Sequence, residues 1–155
     1  MANAQTRVSL LKIANKVRSQ RRSDQNWLHP EDINGISCSD LRTVNQLWAE
    51  ASRKRFGLVV QSKIWKLSGG TTSTQPDNPD IRRKFSTTVG WEGADKGQFN
   101  LERLYQKLNG GGFENIPEGY LPSAIGQYQD DQIWVGEQNE FAVLTAKLEQ
   151  CGILQ

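Results

Sequence analysis

An all-α fold is what the sequence predicts: a single domain of about seven short helices joined by long connections. Three observations point there. Apolar residues recur at helical spacing in segment after segment, and no stretch alternates persistently at period two. Ser, Asn, Asp and Pro stand where helix N-termini need them, and Gly stands where helices must stop. The stretches between these segments are polar and punctuated by Gly and Pro.

The first helix is expected from Val8 to Val17, where Leu10, Ile13, Ala14 and Val17 follow i, i+3, i+4, i+7. A polar, basic stretch, RSQRRSDQN, follows it. In WLHPEDINGI, Pro30 suits a first helical position, Glu31 and Asp32 suit the positive N-terminus, and Gly35 ends the element. His29 is placed to cap or flank that helix, a structural role. Ser39 or Asp40 can cap the next helix, whose apolar face carries Leu41, Val44, Leu47, Trp48 and Ala51. Arg53, Lys54 and Arg55 sit at its negative end, and Gly57 breaks the chain. LVVQSKIWKL reads as a helix with Val60, Ile64 and Leu67 along one face, although its β-branched start also suits a strand.

After the connector SGGTTSTQPDNPD, Asn78, Pro79 and Asp80 form a cap and first turn for PDIRRKF. VGWEGADKGQF is too rich in Gly for one regular element. NLERLYQKL is a helix capped by Asn100, with Leu101, Leu104, Tyr105 and Leu108 on one stripe, ending at the Gly110–Gly112 run. FENIPEGYLPSAIG reads as extended chain with turns. The last helix spans about 139–150, with Phe141, Leu144 and Leu148 aligned and Gly152 beyond its end.

Composition narrows the function. A chain of 155 residues can bury a core without staples. A formal net charge of +2 is too weak a field to imply nucleic acid, and the basic clusters RSQRR and SRKRF read as solvated helix ends. Two cysteines, Cys38 and Cys151, make no disulfide framework and no zinc-ligand pairing. One His supports neither a His-rich metal site nor a triad. No apolar run reaches the roughly 18–20 residues of a membrane span, and the start lacks an apolar signal region, so a cytoplasmic protein is expected. NGGGF follows a helix and lacks a phosphate-loop pattern, no GxSxG or HExxH occurs, and Asp130–Asp131 reads as a solvated turn. No enzyme and no metal site are expected.

What remains is a ligand crevice. Five Trp is a high count for this length, and a flat apolar ligand bearing carboxylates needs aromatic or aliphatic walls and a few cations. Cys38 to Leu67 holds both kinds of residue. Leu41, Val44, Leu47 and Trp48 are assigned to the core; Arg55, Phe56 and Val60 are assigned to the wall.

DLRTVNQLW (Asp40–Trp48) followed by RFGLVVQSKIW (Arg55–Trp65) resembles the core motif of the genomes-uncoupled-four family. VGW (Val89–Trp91), PEGYLPS (Pro117–Ser123) and WLHPEDI (Trp27–Ile33) fit the same family in the same order. The resemblance covers about residues 8–130 of a domain taken as 1–155. It implies a cupped-hand, all-helical, non-catalytic domain that binds protoporphyrin IX, its Mg form or a bilin. It also implies a partner, the magnesium chelatase large subunit or another signalling protein, and a source among cyanobacteria, algae or plants. No cofactor is required beyond the porphyrin or bilin ligand.

By motif, Arg55, Phe56, Val60 and Gln61 are carried to the first wall of the site, and Trp91, Tyr120, Leu121 and Pro122 to the loops that close over the ligand. Arg53 joins them on physical grounds, as a cation for a propionate. Departures are Tyr120 where the family has His, Val59–Val60 where it has Ser-Val, and Asp130–Asp131 where activating members carry basic residues. No extra N-terminal helical bundle precedes the motifs, so the core domain is expected nearly alone. The alternative function is a divergent domain of the same fold that has lost pigment binding and acts as a protein-interaction or signalling module.

Overall fold

The computed structural model describes residues 28–73, 77–91, 112–129 and 132–155, with Gln5, Thr6 and Ser9. Among them are five α-helices: α1 (Pro30–Gly35), α2 (Cys38–Ala51), α3 (Leu58–Leu67), α4 (Pro79–Thr88) and α5 (Glu140–Gln150). A single 3-10 turn at Gly112–Asn115 and a short antiparallel hairpin, β1 (Gln127–Gln129) with β2 (Gln132–Trp134), complete the described elements. The fold is helical, as the apolar spacing predicts. The helices expected at Val8–Val17 (Ser9 aside) and at NLERLYQKL lie outside the described residues, as do Asp130 and Asp131.

Local chemistry sets each boundary. His29 precedes α1 in extended conformation, Pro30 fills the first helical position, and the Asp32 carboxylate reaches back to accept the His29 backbone N–H at 2.9 Å. The His29 ring meets the Gln138 side chain at 3.1 Å, a structural role as expected. Helix α2 starts two residues before the expected cap: Ser37 Oγ accepts the Asp40 N–H at 3.0 Å. Asn78 caps α4 as expected, accepting from Asp80 and Ile81, with Pro79 behind it. Before it, Arg82 grips Asp77 with two hydrogen bonds of 2.6 and 2.8 Å, which hold the guanidinium pKa above its ordinary value. Helix α5 closes with Gly152 N–H on Glu149 O and Ile153 N–H on Leu148 O, a double-bonded C-terminal turn.

The core sits around α5. Helices α1 and α3 pack on it, and Phe141, Leu144 and Leu148 are fully buried. Four rings, three from helices and one from the chain just past α4, meet there. Phe141 lies 4.5 Å from Phe85 of α4, 6.1 Å from Trp65 of α3 and 5.9 Å from Trp91, centroid to centroid. Tilted and edge-on pairs of this kind add to what their burial alone contributes.

Four expectations are corrected. Leu47 is 62% exposed and Leu67 81% exposed, so neither belongs to the core, and Ala51 is exposed as well. The buried face of α3 is Leu58, Gln61, Ser62 and Trp65, turned away from the Val60–Ile64–Leu67 stripe. Val44 and Trp48 pack against the core while only partly buried, with Trp48 Nε1 donating to Thr6 Oγ1 at 3.0 Å. Finally, Cys38 and Cys151, too few for a framework, are bonded to each other across a separation of 113 residues.

Phe141 and Phe85 each pair with the other three rings of the cluster, so Phe141→Ala leaves a hole among three aromatic partners. It is expected to cost about 3–5 kcal/mol, read as a lowered urea midpoint at unchanged m-value; a loss under about 1 kcal/mol would refute the central placement of this ring.

Candidate functional site

Two irregular segments meet beside α3, and neither has a helix or ladder to satisfy its own backbone. One is the turn 52–57 after α2; the other is 116–122. Their pairing starts from main chain: Gly119 N–H donates to Arg55 O at 2.9 Å, and Gly57 N–H donates to Leu121 O at 3.0 Å. Side chains then take the remaining carbonyls. Arg55 Nη2 donates to Ile116 O at 2.7 Å, and Trp91 Nε1 donates to Tyr120 O at 2.9 Å. Gln61 Nε2 donates to both Gly119 O (2.9 Å) and Pro122 O (2.6 Å). The carbonyls of residues 116, 119, 120, 121 and 122 thereby each have a donor, which a buried backbone requires. The Leu121–Pro122 peptide bond is cis.

Two glycines make this approach geometrically feasible. At Gly57, φ is +127° and a Cβ would stand 2.9 Å from Asn45 Oδ1. Without that Cβ, Asn45 reaches from α2 and accepts the Val59 N–H at 2.9 Å, capping α3 from outside its own chain segment. At Gly119, φ is +75° and a Cβ would stand 2.8 Å from Ile64 Cδ1, so only Gly lets the 116–122 segment lie down on α3.

The residues carried here by motif are brought together, in two different capacities. Phe56 and Trp91, expected as wall and loop, are 1% and 2% exposed and belong to the core. Gln61, Leu121 and Pro122 are buried as well, with Gln61 spent on carbonyls. Arg55 is half-buried, holding Ile116 O and lying 3.7 Å from the Glu118 carboxylate. Partly exposed apolar surface comes from Val60, Ile64 and Tyr120, and exposed cationic side chains from Arg53 and Lys54. Those two residues hold left-handed conformations, φ 53° and 65°, which cost energy for side chains of their size. Burial pushes the Tyr120 phenol up to about 12, so it stays neutral as a hydrogen-bonding group at physiological pH. Among the described residues no three His, Cys, Asp or Glu side chains gather as a metal ion would need.

Asn45, Glu118 and Gly119 were not foreseen as site-forming. Asn45 carried a signal: it is a polar residue between Leu41 and Trp48 on the packed side of an amphipathic helix, a position that asks for a buried partner.

A family model described as GUN4-like matches residues 1–134. The uncharacterized protein ycf53 of Pyropia yezoensis is 32% identical over 121 residues, 78% of this chain and 43% of that protein. A Ycf53-like protein of Synechocystis is 35% identical over 120 residues, 76% of this chain and 42% of that protein. The chain thus spans about two fifths of the length of these relatives. The solved structure of GUN4 from Chlamydomonas reinhardtii superposes with a TM-score of 0.57 over 92% of this chain and 74% of the other, at 21% identity, a likeness of fold.

Replacing Gln61 by Leu strands two buried carbonyls, for an expected loss of about 2–4 kcal/mol, with faster hydrogen exchange at Gly119 and Tyr120; unchanged exchange there would show that the segment is held by other means. The Tyr120 shift has a defined sign. Because its folded pKa lies above the ordinary value of about 10, its contribution to stability is intact below that pH and is lost as pH rises through about 12. The difference in 295 nm absorbance titration between the native chain and Tyr120→Phe is expected to show this late phenol; ionisation at an ordinary pH would contradict its burial.

Proposed function

The chain belongs to the GUN4-like family, and from that premise we propose that it is a non-catalytic regulator that binds a tetrapyrrole, a porphyrin or a bilin, and presents it to a protein partner. The observation that supports this most directly is the surface beside the braced segment. Val60, Ile64 and Tyr120 offer a partly exposed apolar face, and the 52–57 turn presents Arg53 and Lys54 to solvent in left-handed conformations. A flat apolar ring with two propionates matches that pairing of an apolar face and a cationic edge. Energy stored in such backbone conformations is expected where the side chains must point somewhere in particular.

Arg55 is a poor ligand for a propionate, since its guanidinium already serves Ile116 O and Glu118. The working cations of the proposal are therefore Arg53 and Lys54. Tyr120, neutral and half-buried, would donate or accept a hydrogen bond where the family motif has His. The partner that the family suggests is the magnesium chelatase large subunit; no helix among the described residues is long and apolar enough to cross a membrane.

A second reading, an interaction module without pigment, draws on one feature. Leu47 and Leu67 present large apolar side chains to solvent on α2 and α3. Titration with deuteroporphyrin IX, its Mg form and biliverdin separates the two, following Trp quenching and Soret shifts together. Saturable binding at micromolar or lower Kd is expected, weakened about tenfold, or about 1.4 kcal/mol, by Arg53→Glu at unchanged Tm. Absence of saturable binding to all three would favour the interaction module.

A further inference from the structure

We propose that the Cys38–Cys151 bond is a reducible clasp, a modification site for a dithiol reductant whose thiolate attacks Cys151 Sγ and expels Cys38 as the leaving thiolate. This goes beyond the pigment reading and stands without it.

The two sulfurs share a bond but occupy opposite electrostatic positions. Cys38 is the first residue of α2, a helix of 14 residues, directly after its Ser37 cap. Cys151 is the C-terminal cap of α5. The positive end of a helix stabilises a thiolate and the negative end destabilises one. In thiol–disulfide exchange the sulfur whose thiolate is more stable leaves faster, so attack is directed at the other sulfur. Three charged side chains stand nearby. Asp40 in the first turn of α2 opposes the effect, with one oxygen taken by Ser37 Oγ at 2.8 Å. Arg42, which donates to Cys151 O at 3.1 Å, and Lys147, which donates to Asn34 O at 3.0 Å, are cations on the Cys151 side and oppose it too, each with its charge engaged on a carbonyl. Neither cysteine is fully buried.

The exchange balances with the dithiol alone. Its first thiolate forms a bond to Cys151 Sγ while the Cys38–Cys151 bond breaks, and Cys38 leaves as a thiolate. Its second thiolate then attacks its own bridging sulfur and releases the Cys151 thiolate. Two electrons pass to the chain, the dithiol ends as a disulfide, and the two cysteines take up two protons.

Opening the clasp does not remove what else fastens α5. Arg42 still holds Cys151 O, Lys147 still holds Asn34 O, and Leu154 remains a buried anchor. Loss of a cross-link spanning 113 residues lowers stability through the entropy of the unfolded chain, while the folded helices persist.

The test uses the full chain and a thioredoxin-class protein lacking its resolving cysteine. The trapped mixed disulfide is expected on Cys151 over Cys38 by about tenfold in peptide mass spectrometry. With the intact dithiol protein, both cysteines become alkylatable and Tm falls by roughly 10 °C, with far-UV helicity at 25 °C retained. The Cys38→Ser/Cys151→Ser double variant is expected to match the reduced chain in Tm and helicity. Adduct mainly on Cys38, no opening under conditions that reduce insulin, or two free thiols in the chain after exposure to oxidised glutathione would each overturn the proposal. So would loss of helicity in both the reduced chain and the double variant, since the bond would then be a structural staple.

Discussion

Segment 116–122 enters the interior with five carbonyls that no helix or strand ladder can satisfy, and the donors that meet them decide where the rest of the site stands. Those donors come from the 52–57 turn, from α3 and from Trp91, three residues past α4. Each is far along the chain from its acceptor; Gln61 and Gly119 are 58 residues apart. A buried carbonyl without a donor costs about 1–3 kcal/mol, so the requirement is severe enough to fix side-chain identity. Arg is needed where a long donor must reach Ile116 O, Gln where one amide must serve two carbonyls, and Trp where a ring must fill the core and still donate.

That requirement explains which parts of the molecule were readable from sequence. Helix starts at Pro30 and Asn78 and the stop at Gly152 were legible because their causes lie within three or four residues. The buried face of α3 was not. Periodicity places Val60, Ile64 and Leu67 inward because they are apolar, but Gln61 and Ser62 take the buried side, and the carbonyls that Gln61 serves belong to a remote segment. The hairpin at 127–134 has strands of three residues, too short for alternation to register. Cys38 and Cys151 meet only because α5 returns to the start of α2, a tertiary fact with no local trace.

Burial divides the residues that the motifs group together. Motif resemblance grouped Arg55, Phe56, Gln61, Trp91 and the 120–122 turn, and the structure does bring them within one braced junction. Resemblance alone cannot divide residues that build a surface from residues that face it. Hydrogen-bond accounting can: Gln61 and Trp91 have their donors engaged and are buried, while Arg53 and Lys54, which lie outside the RFG motif, carry exposed charge. Trp91 is the sharpest case, since motif resemblance carries it to the loops that close over a ligand and its place is among Phe85 and Phe141.

The same accounting relates the site to the disulfide. Of the links to segment 116–122, those from Arg55, Gly57 and Gln61 run through the turn after α2 and through α3. One link, Trp91 to Tyr120 O, comes from a ring that packs on Phe141 of α5. A change at the Cys151 end of α5 also reaches α3 directly, because α3 packs along α5, Trp65 lies 6.1 Å from Phe141 and Lys66 pairs with Glu149, two residues before Cys151. The clasp therefore governs how firmly the C-terminal helix is held against α3, while the donors of the braced junction keep the shape of the surface beside Tyr120.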